Sequence, residues 1–122
     1  MCGHSSGEIA AAFCASIFDL RSCMELAYYG GRDASALRKS QEGAMMNIAQ
    51  GPEVVEPLLE SLETGFAIIA CYNSPQNVTV SGDRSAVEEL KVILNESRIF
   101  RWMLNVDVAY HSGERLFLDS AR

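Results

Sequence analysis

What most limits the folds open to this chain is a change of periodicity at Gly43. Upstream, apolar residues recur at helical spacings. Downstream, short runs of branched and aromatic residues alternate with helical stretches. Ala44-Met45-Met46-Asn47-Ile48-Ala49 reads as a strand, and Gly51-Pro52 opens a helix from Glu53 to about Glu63. Phe66 to Tyr72 is a second strand, and Asn73-Ser74-Pro75-Gln76 turns the chain into a third, Val78 to Ser81. Asp83 is placed to cap a helix carrying Val87, Leu90, Val92, Ile93 and Leu94, and Arg101 to Val108 forms a fourth strand. Strand, helix, strand, strand, helix, strand is the order of a split β-α-β, ferredoxin-like sheet, so residues 43–108 read as one small subdomain.

Residues 1–42 read as helical. Gly7 to Ile17, with Ala10, Ala11, Ala12, Phe13, Ala15 and Ile17, is apolar nearly all round and should be buried against something substantial. Leu20 to Tyr29 is a second helical run. Gly30-Gly31 then interrupts it, and Asp33 could cap a further short helix through Leu37 to Ser40. The class is therefore mixed α/β (α+β), and 122 residues suffice for one small domain.

Charge and cysteine usage narrow the function. Acidic residues outnumber basic ones 16 to 10, a net −6 that repels nucleic acid over most of the surface. The longest uncharged stretch, Thr64 to Gly82, contains Asn73, Ser74, Pro75, Gln76 and Asn77, which excludes a membrane helix. Met1-Cys2-Gly3-His4 lacks the basic and apolar regions of a signal peptide. Cys2, Cys14, Cys23 and Cys71 form no C-x-x-C pair and no metal-ligand pattern, and Cys14 and Cys23 read as small buried hydrophobes. A reducing, cytoplasmic setting is expected, with no bound metal or cofactor.

Gly3-His4-Ser5-Ser6-Gly7 fits G-x-S-x-G, the turn that lifts a nucleophilic serine between a strand and a helix. The glycines remove side chains that would clash there, and the helix that follows offers its N–H groups to a developing oxyanion, Ser6 first. Ser5-Ser6-Gly7-Glu8 also fits a capping box, in which Ser5 would be only a helix N-cap. A serine nucleophile needs a base, and His111 is the one imidazole outside the motif. Asp107, four residues earlier on an extended segment, would lie about 13 Å away and does not orient the ring.

The segment Gly3 to Ala12 resembles the active-site segment of malonyl-CoA:acyl-carrier-protein transacylases, most closely the acyltransferase domains of fungal-type polyketide synthases. Ala27-Tyr28-Tyr29, Gly43-Ala44-Met45-Met46, Asn73 to Gly82 and Val106 to Ser112 match further blocks of that family in order. The resemblance implies a partial acyltransferase fold. Residues 1–42 would be the elbow and helices of a hydrolase-like core, 43–108 the ferredoxin-like subdomain, and 109–122 the catalytic-histidine loop and a shortened C-terminal segment. It implies Ser5 as nucleophile, His111 as general acid/base, the Ser6 N–H as oxyanion donor, and His4, Tyr110 and Arg32 as pocket residues. It further implies transfer of a malonyl or related acyl group, with acyl-CoA as donor, the phosphopantetheine of an acyl carrier protein as acceptor, and ketosynthase and other synthase domains as neighbours.

The chain departs from that family in places. Gly30 stands where malonyl-using members carry the arginine that grips the free carboxylate. Arg32 lies about 200° round the helix from it and does not replace it without rearrangement. The family's glycine-glutamine segment, most core strands and the C-terminal helices have no counterpart, so the chain reads as a slice of the domain. Gly113-Glu114-Arg115 follows where the family places histidine and methionine. A small serine hydrolase and a non-catalytic remnant with a ferredoxin-like fold stay open as alternatives.

Overall fold

The computed structural model describes residues 1–37, 42–106 and 109–111. The chain divides into two compact units, Met1–Lys39 and Ser40–Arg122.

In the first unit α1 spans Gly7–Cys14 and α2 spans Leu20–Leu37. Asp19 starts α2: its carboxylate accepts the Ser22 N–H at 2.7 Å and its carbonyl accepts that of Cys23 at 3.1 Å. The Ser22 backbone N–H, helped by the Ser22 hydroxyl, holds the Asp19 carboxyl below its usual range. Helix α2 continues through Gly30 and Gly31, where the sequence predicts a break and a second helix begun by Asp33. Each glycine costs about 1 kcal/mol against alanine in a helix, and the good helix formers around them, Leu26, Ala27 and Ala34, outweigh it. Ser40, the expected end of that second helix, lies outside the described residues. Cys23 is buried as expected, and its thiol donates to the Ile9 carbonyl at 3.6 Å, fastening α2 to α1. Cys14 is exposed, contrary to the expectation of a buried residue, and α1 buries none of its residues fully. Within this unit α2 covers one side of α1, too little for a helix that is apolar all round; Phe13, Ile17 and Phe18 stay exposed.

The second unit runs β1 (Gly43–Ile48), α3 (Pro52–Glu60), β2 (Ala67–Ser74), β3 (Asn77–Asp83), α4 (Arg84–Glu96) and β4 (Arg101–Met103). The four strands form one antiparallel sheet in the order β2-β3-β1-β4, the split β-α-β arrangement expected from the element order. Alternation decides its core. Ala44, Met46 and Ile48 of β1 and Val78 and Val80 of β3 meet Val55 of α3 and Ala86, Val87, Leu90 and Leu94 of α4. Strand β4 is shorter than the predicted Arg101 to Val108. The Leu104 N–H still reaches the Met45 carbonyl at 2.9 Å, but the Val106 N–H then turns back to the Leu104 carbonyl at 2.9 Å and leaves the ladder. Residues 107 and 108 lie outside the described residues.

Helix α3 stops at Glu60, three residues short of the predicted end, and the Ser61 hydroxyl donates to the Leu58 carbonyl at 2.8 Å. The connection that follows is held by carboxylates of the second half. Glu89 accepts the backbone N–H groups of Glu63 and Thr64 and the Thr64 hydroxyl. The Asp83 carboxylate accepts the Phe66 N–H at 2.9 Å. Gly65 between them has φ +82°, a conformation glycine adopts without strain. Beside it Gly82 lies so close to the neighbouring strand that a Cβ would stand 2.2 Å from the Phe66 carbonyl oxygen and 2.5 Å from the Ala67 Cα. No helix among the described residues is long and apolar enough to cross a membrane.

Two outcomes follow. Gly82→Ala should destabilise the protein by about 1–3 kcal/mol in urea unfolding followed by circular dichroism, because the obstructing atoms are backbone. An unchanged midpoint would refute the close approach. The hydrogen bonds from Thr64 and Glu63 hold the Glu89 carboxyl below its usual range. A depressed carboxyl stabilises the fold above the unfolded value, about pH 4.3 for glutamate, and loses that effect as pH falls through the lower folded value. Glu89→Ala should therefore lower the melting temperature at pH 7, and the gap to the parent protein should close progressively below about pH 4.3.

Candidate active site

The turn before α1 is built by sterics. Ser5 has φ +53°, the left-handed region that residues bearing a Cβ rarely occupy. Around it the Gly7 N–H donates to the His4 carbonyl at 3.0 Å, that of Glu8 to the Ser5 carbonyl at 3.0 Å, and that of Ile9 to the Ser6 carbonyl at 3.3 Å. Gly3 permits the turn to close: a Cβ there would lie 2.4 Å from the Gly7 carbonyl oxygen and 2.7 Å from the Glu8 nitrogen. Gly7 differs, since a Cβ at that position meets nothing within 4 Å.

This geometry decides against the capping-box alternative. An N-cap takes extended dihedrals and accepts an N–H of the first turn through its side chain. The cap position falls on Ser6, which is helical at φ −58° and ψ −21° and makes no side-chain capping bond, whereas Ser5 is left-handed. The turn thus delivers a serine on a sharp reversal immediately ahead of the N–H end of a helix, where the dipole favours negative charge.

The other expected site residues are distributed as follows. His4 and Ser6 flank Ser5 in the first unit and are exposed. Arg32, on α2, is turned to its neighbours: Nε and Nη2 each lie 3.3 Å from the Asp33 carboxylate, and its guanidinium carbon sits 4.7 Å from the centroid of the Tyr29 ring. Tyr28 and Tyr29 meet edge to face at 5.4 Å. Tyr110 and His111 belong to the second unit and are exposed, and His111 has φ +61°. Asp107 lies outside the described residues. Among the described residues no group of three histidine, cysteine or acidic side chains could hold a metal ion.

Sequence reasoning missed a polar network on the sheet face away from the helices. Asn47 and Asn77 exchange amide hydrogen bonds at 2.8 and 3.0 Å, and Asn73 donates to Asn77 Oδ1 and to the Thr79 hydroxyl, both at 2.9 Å. Local pattern makes Asn73 a turn residue, whereas the structure places it in β2. The register that sets Asn47 opposite Thr79 joins residues 32 apart in the chain.

Comparison with known proteins adds a family. The model of the acyl transferase domain matches residues 1–116. The chain is 48% identical over 115 residues to highly-reducing polyketide synthase 1 of Aureobasidium melanogenum, covering 91% of this chain and 5% of that protein. It is 44% identical over 120 residues to the reducing polyketide synthase PKS2 of Cochliobolus heterostrophus, covering 96% of this chain and 6% of that one. The chain thus spans about a twentieth of the length of these synthases. Among solved structures it superposes on a loading acyltransferase from the avermectin modular polyketide synthase with a TM-score of 0.83 at 29% identity, over 91% of this chain and 35% of that one. FabD from Acinetobacter baumannii gives 0.76 at 28% identity, over 88% and 35%.

The two glycines of the turn should respond oppositely. Gly3→Ala should lower stability by about 1–3 kcal/mol, because the clash is with backbone. Gly7→Ala should be neutral or slightly stabilising, by at most about 1 kcal/mol, because alanine is the better helix former. Thermal unfolding of the two variants side by side checks the contrast, and equal losses would contradict it.

Proposed function

The chain belongs to the acyl transferase domain family, and from that premise we propose that it moves an acyl group from coenzyme A to the phosphopantetheine thiol of an acyl carrier protein in a polyketide synthase. The observation that carries this reading is Ser5, held at φ +53° in a glycine-closed turn at the start of α1. A non-glycine residue kept in that region costs about 1–3 kcal/mol, and such strain concentrates where a side chain must be presented for chemistry.

In the proposed reaction His111 accepts the Ser5 hydroxyl proton as the oxygen attacks the thioester carbonyl, forming the C–O bond. The carbonyl electrons move onto oxygen, and the Ser6 N–H and the positive end of α1 stabilise that charge. Collapse breaks the C–S bond, and the departing coenzyme A sulfur takes the proton from His111. The carrier thiol then attacks the acyl-serine in the reverse sense and returns the proton to Ser5. Imidazole suits both directions because it takes up and releases protons in the physiological range. His4 and Tyr110 would border the acyl group.

The acyl group we infer is one without a free carboxylate. Gly30 carries no side chain where the family's malonyl-binding arginine would stand. Arg32 turns its Nε and Nη2 to Asp33 and its face to Tyr29, contacts that compete with a two-pronged grip on a substrate carboxylate. Ketosynthase and carrier domains would be the neighbours, in a cytoplasmic setting.

Intact-mass measurement after incubation with acetyl-CoA or malonyl-CoA tests the reading. A single acyl adduct should form, more with acetyl-CoA than with malonyl-CoA. It should be absent in Ser5→Ala and form about 100- to 10,000-fold more slowly in His111→Ala. An adduct surviving Ser5→Ala, or none on the parent chain, overturns the mechanism. A preference for malonyl-CoA overturns the specificity alone.

A further inference from the structure

A groove of about 520 Å³ lies between α3 and β2 in the second unit. β2 is the terminal strand of the sheet, so among the described residues one row of its backbone N–H and C=O groups has no strand beside it. Leu59, Leu62, Phe66 and Ile69 make one part of the groove apolar. Glu56, which accepts the Tyr72 hydroxyl at 3.4 Å, and Glu60, one helical turn on, make the other part acidic. The charged residues lining it are these two carboxylates. Phe66 and Tyr72, at its two ends, are 43% and 65% exposed.

We propose that this groove binds an extended peptide segment of a partner protein by strand addition to β2, the segment carrying an apolar side chain followed two residues later by lysine or arginine. An open strand edge beside a helix offers main-chain pairing on one side and side-chain pockets on the other. Side chains two apart on a strand share a face and stand about 7 Å from each other, which suits an apolar pocket next to a carboxylate pair. Register shifts between Ile69 and Cys71 and between Tyr72 and Ser74 break the regular edge, so pairing is confined to about Ala67–Ile69 and the recognised motif is short. The carboxylates select a cationic partner and disfavour an acidic peptide. This surface is independent of the acyl chemistry.

The test uses the full chain and a short labelled peptide in which valine is followed two residues later by lysine, with threonine at the positions between, read by fluorescence anisotropy and amide hydrogen exchange. Saturable binding should appear, with exchange slowed at residues 67–69. Affinity should fall about tenfold in the Glu56→Gln, Glu60→Gln double variant, whose exposed positions leave the fold intact. The same peptide with glutamate for lysine should not bind. The proposal fails if the lysine and glutamate peptides bind alike, if no saturable binding occurs, or if protection appears elsewhere than 67–69. It fails equally if sedimentation shows the chain dimerising through this edge, which would make a second copy the occupant.

Discussion

The two helices of the second unit, α3 and α4, pack on the same face of its sheet, and that condition organises the rest. With α3 and α4 on the same side, each strand must send alternate residues inward: Met46 and Ile48, then Val78 and Val80. A slip of one residue in β3 would exchange the valines for Thr79 and Ser81 and fill the core with hydroxyls. The register thereby fixed places Asn47 opposite Thr79 on the far face, where the amide network forms. It also brings Gly82 against Ala67, where only a missing side chain lets the two strands approach as they do.

The second unit was readable from local pattern to the extent that local pattern decides it. Runs such as Val78-Thr79-Val80-Ser81 are branched, short and bounded by turn residues, so neither their type nor their order was ambiguous. Ends were less readable, because they are decided by partners remote in the chain. Helix α3 gives way to a connection whose backbone N–H groups are taken by Glu89, about 25 residues on, and nothing near Glu63 announces that partner. Strand β4 ends at a carbonyl turn around Leu104 and Val106, although the residues themselves favour a longer strand. In the first unit Gly30-Gly31 carries the signature of a break, yet the summed propensity of the surrounding helix exceeds the glycine penalty. Cys14 is exposed for another reason: an apolar neighbourhood in sequence says what a residue would bury against, not that a covering surface is present in the same unit.

The candidate site divides in the same way. The pentapeptide around Ser5 names a turn from residue types alone, and the two glycines look equivalent on paper. In the structure they are not: a Cβ at position 3 would strike backbone, and one at position 7 would meet nothing within 4 Å. The pairing of Arg32 with Asp33 and Tyr29 is local, within four residues, but which of several neighbours a guanidinium chooses is a matter of rotamer and helix phase that spacing leaves open. Membership of the acyl transferase domain family then gives these geometric facts a chemical direction that geometry by itself does not supply.

The left-handed backbone at position 5 also restricts which residues evolution can try there. Serine and cysteine carry one heavy atom beyond Cβ and tolerate φ +53° at modest cost, while threonine, branched at Cβ, collides with its own backbone in that region. A hydroxyl-for-hydroxyl exchange to threonine, conservative by chemistry, is therefore barred by conformation. The readily accommodated replacements, glycine and asparagine, bring no hydroxyl. Lineages that keep this turn are left with serine, cysteine or aspartate as a nucleophile, or with none.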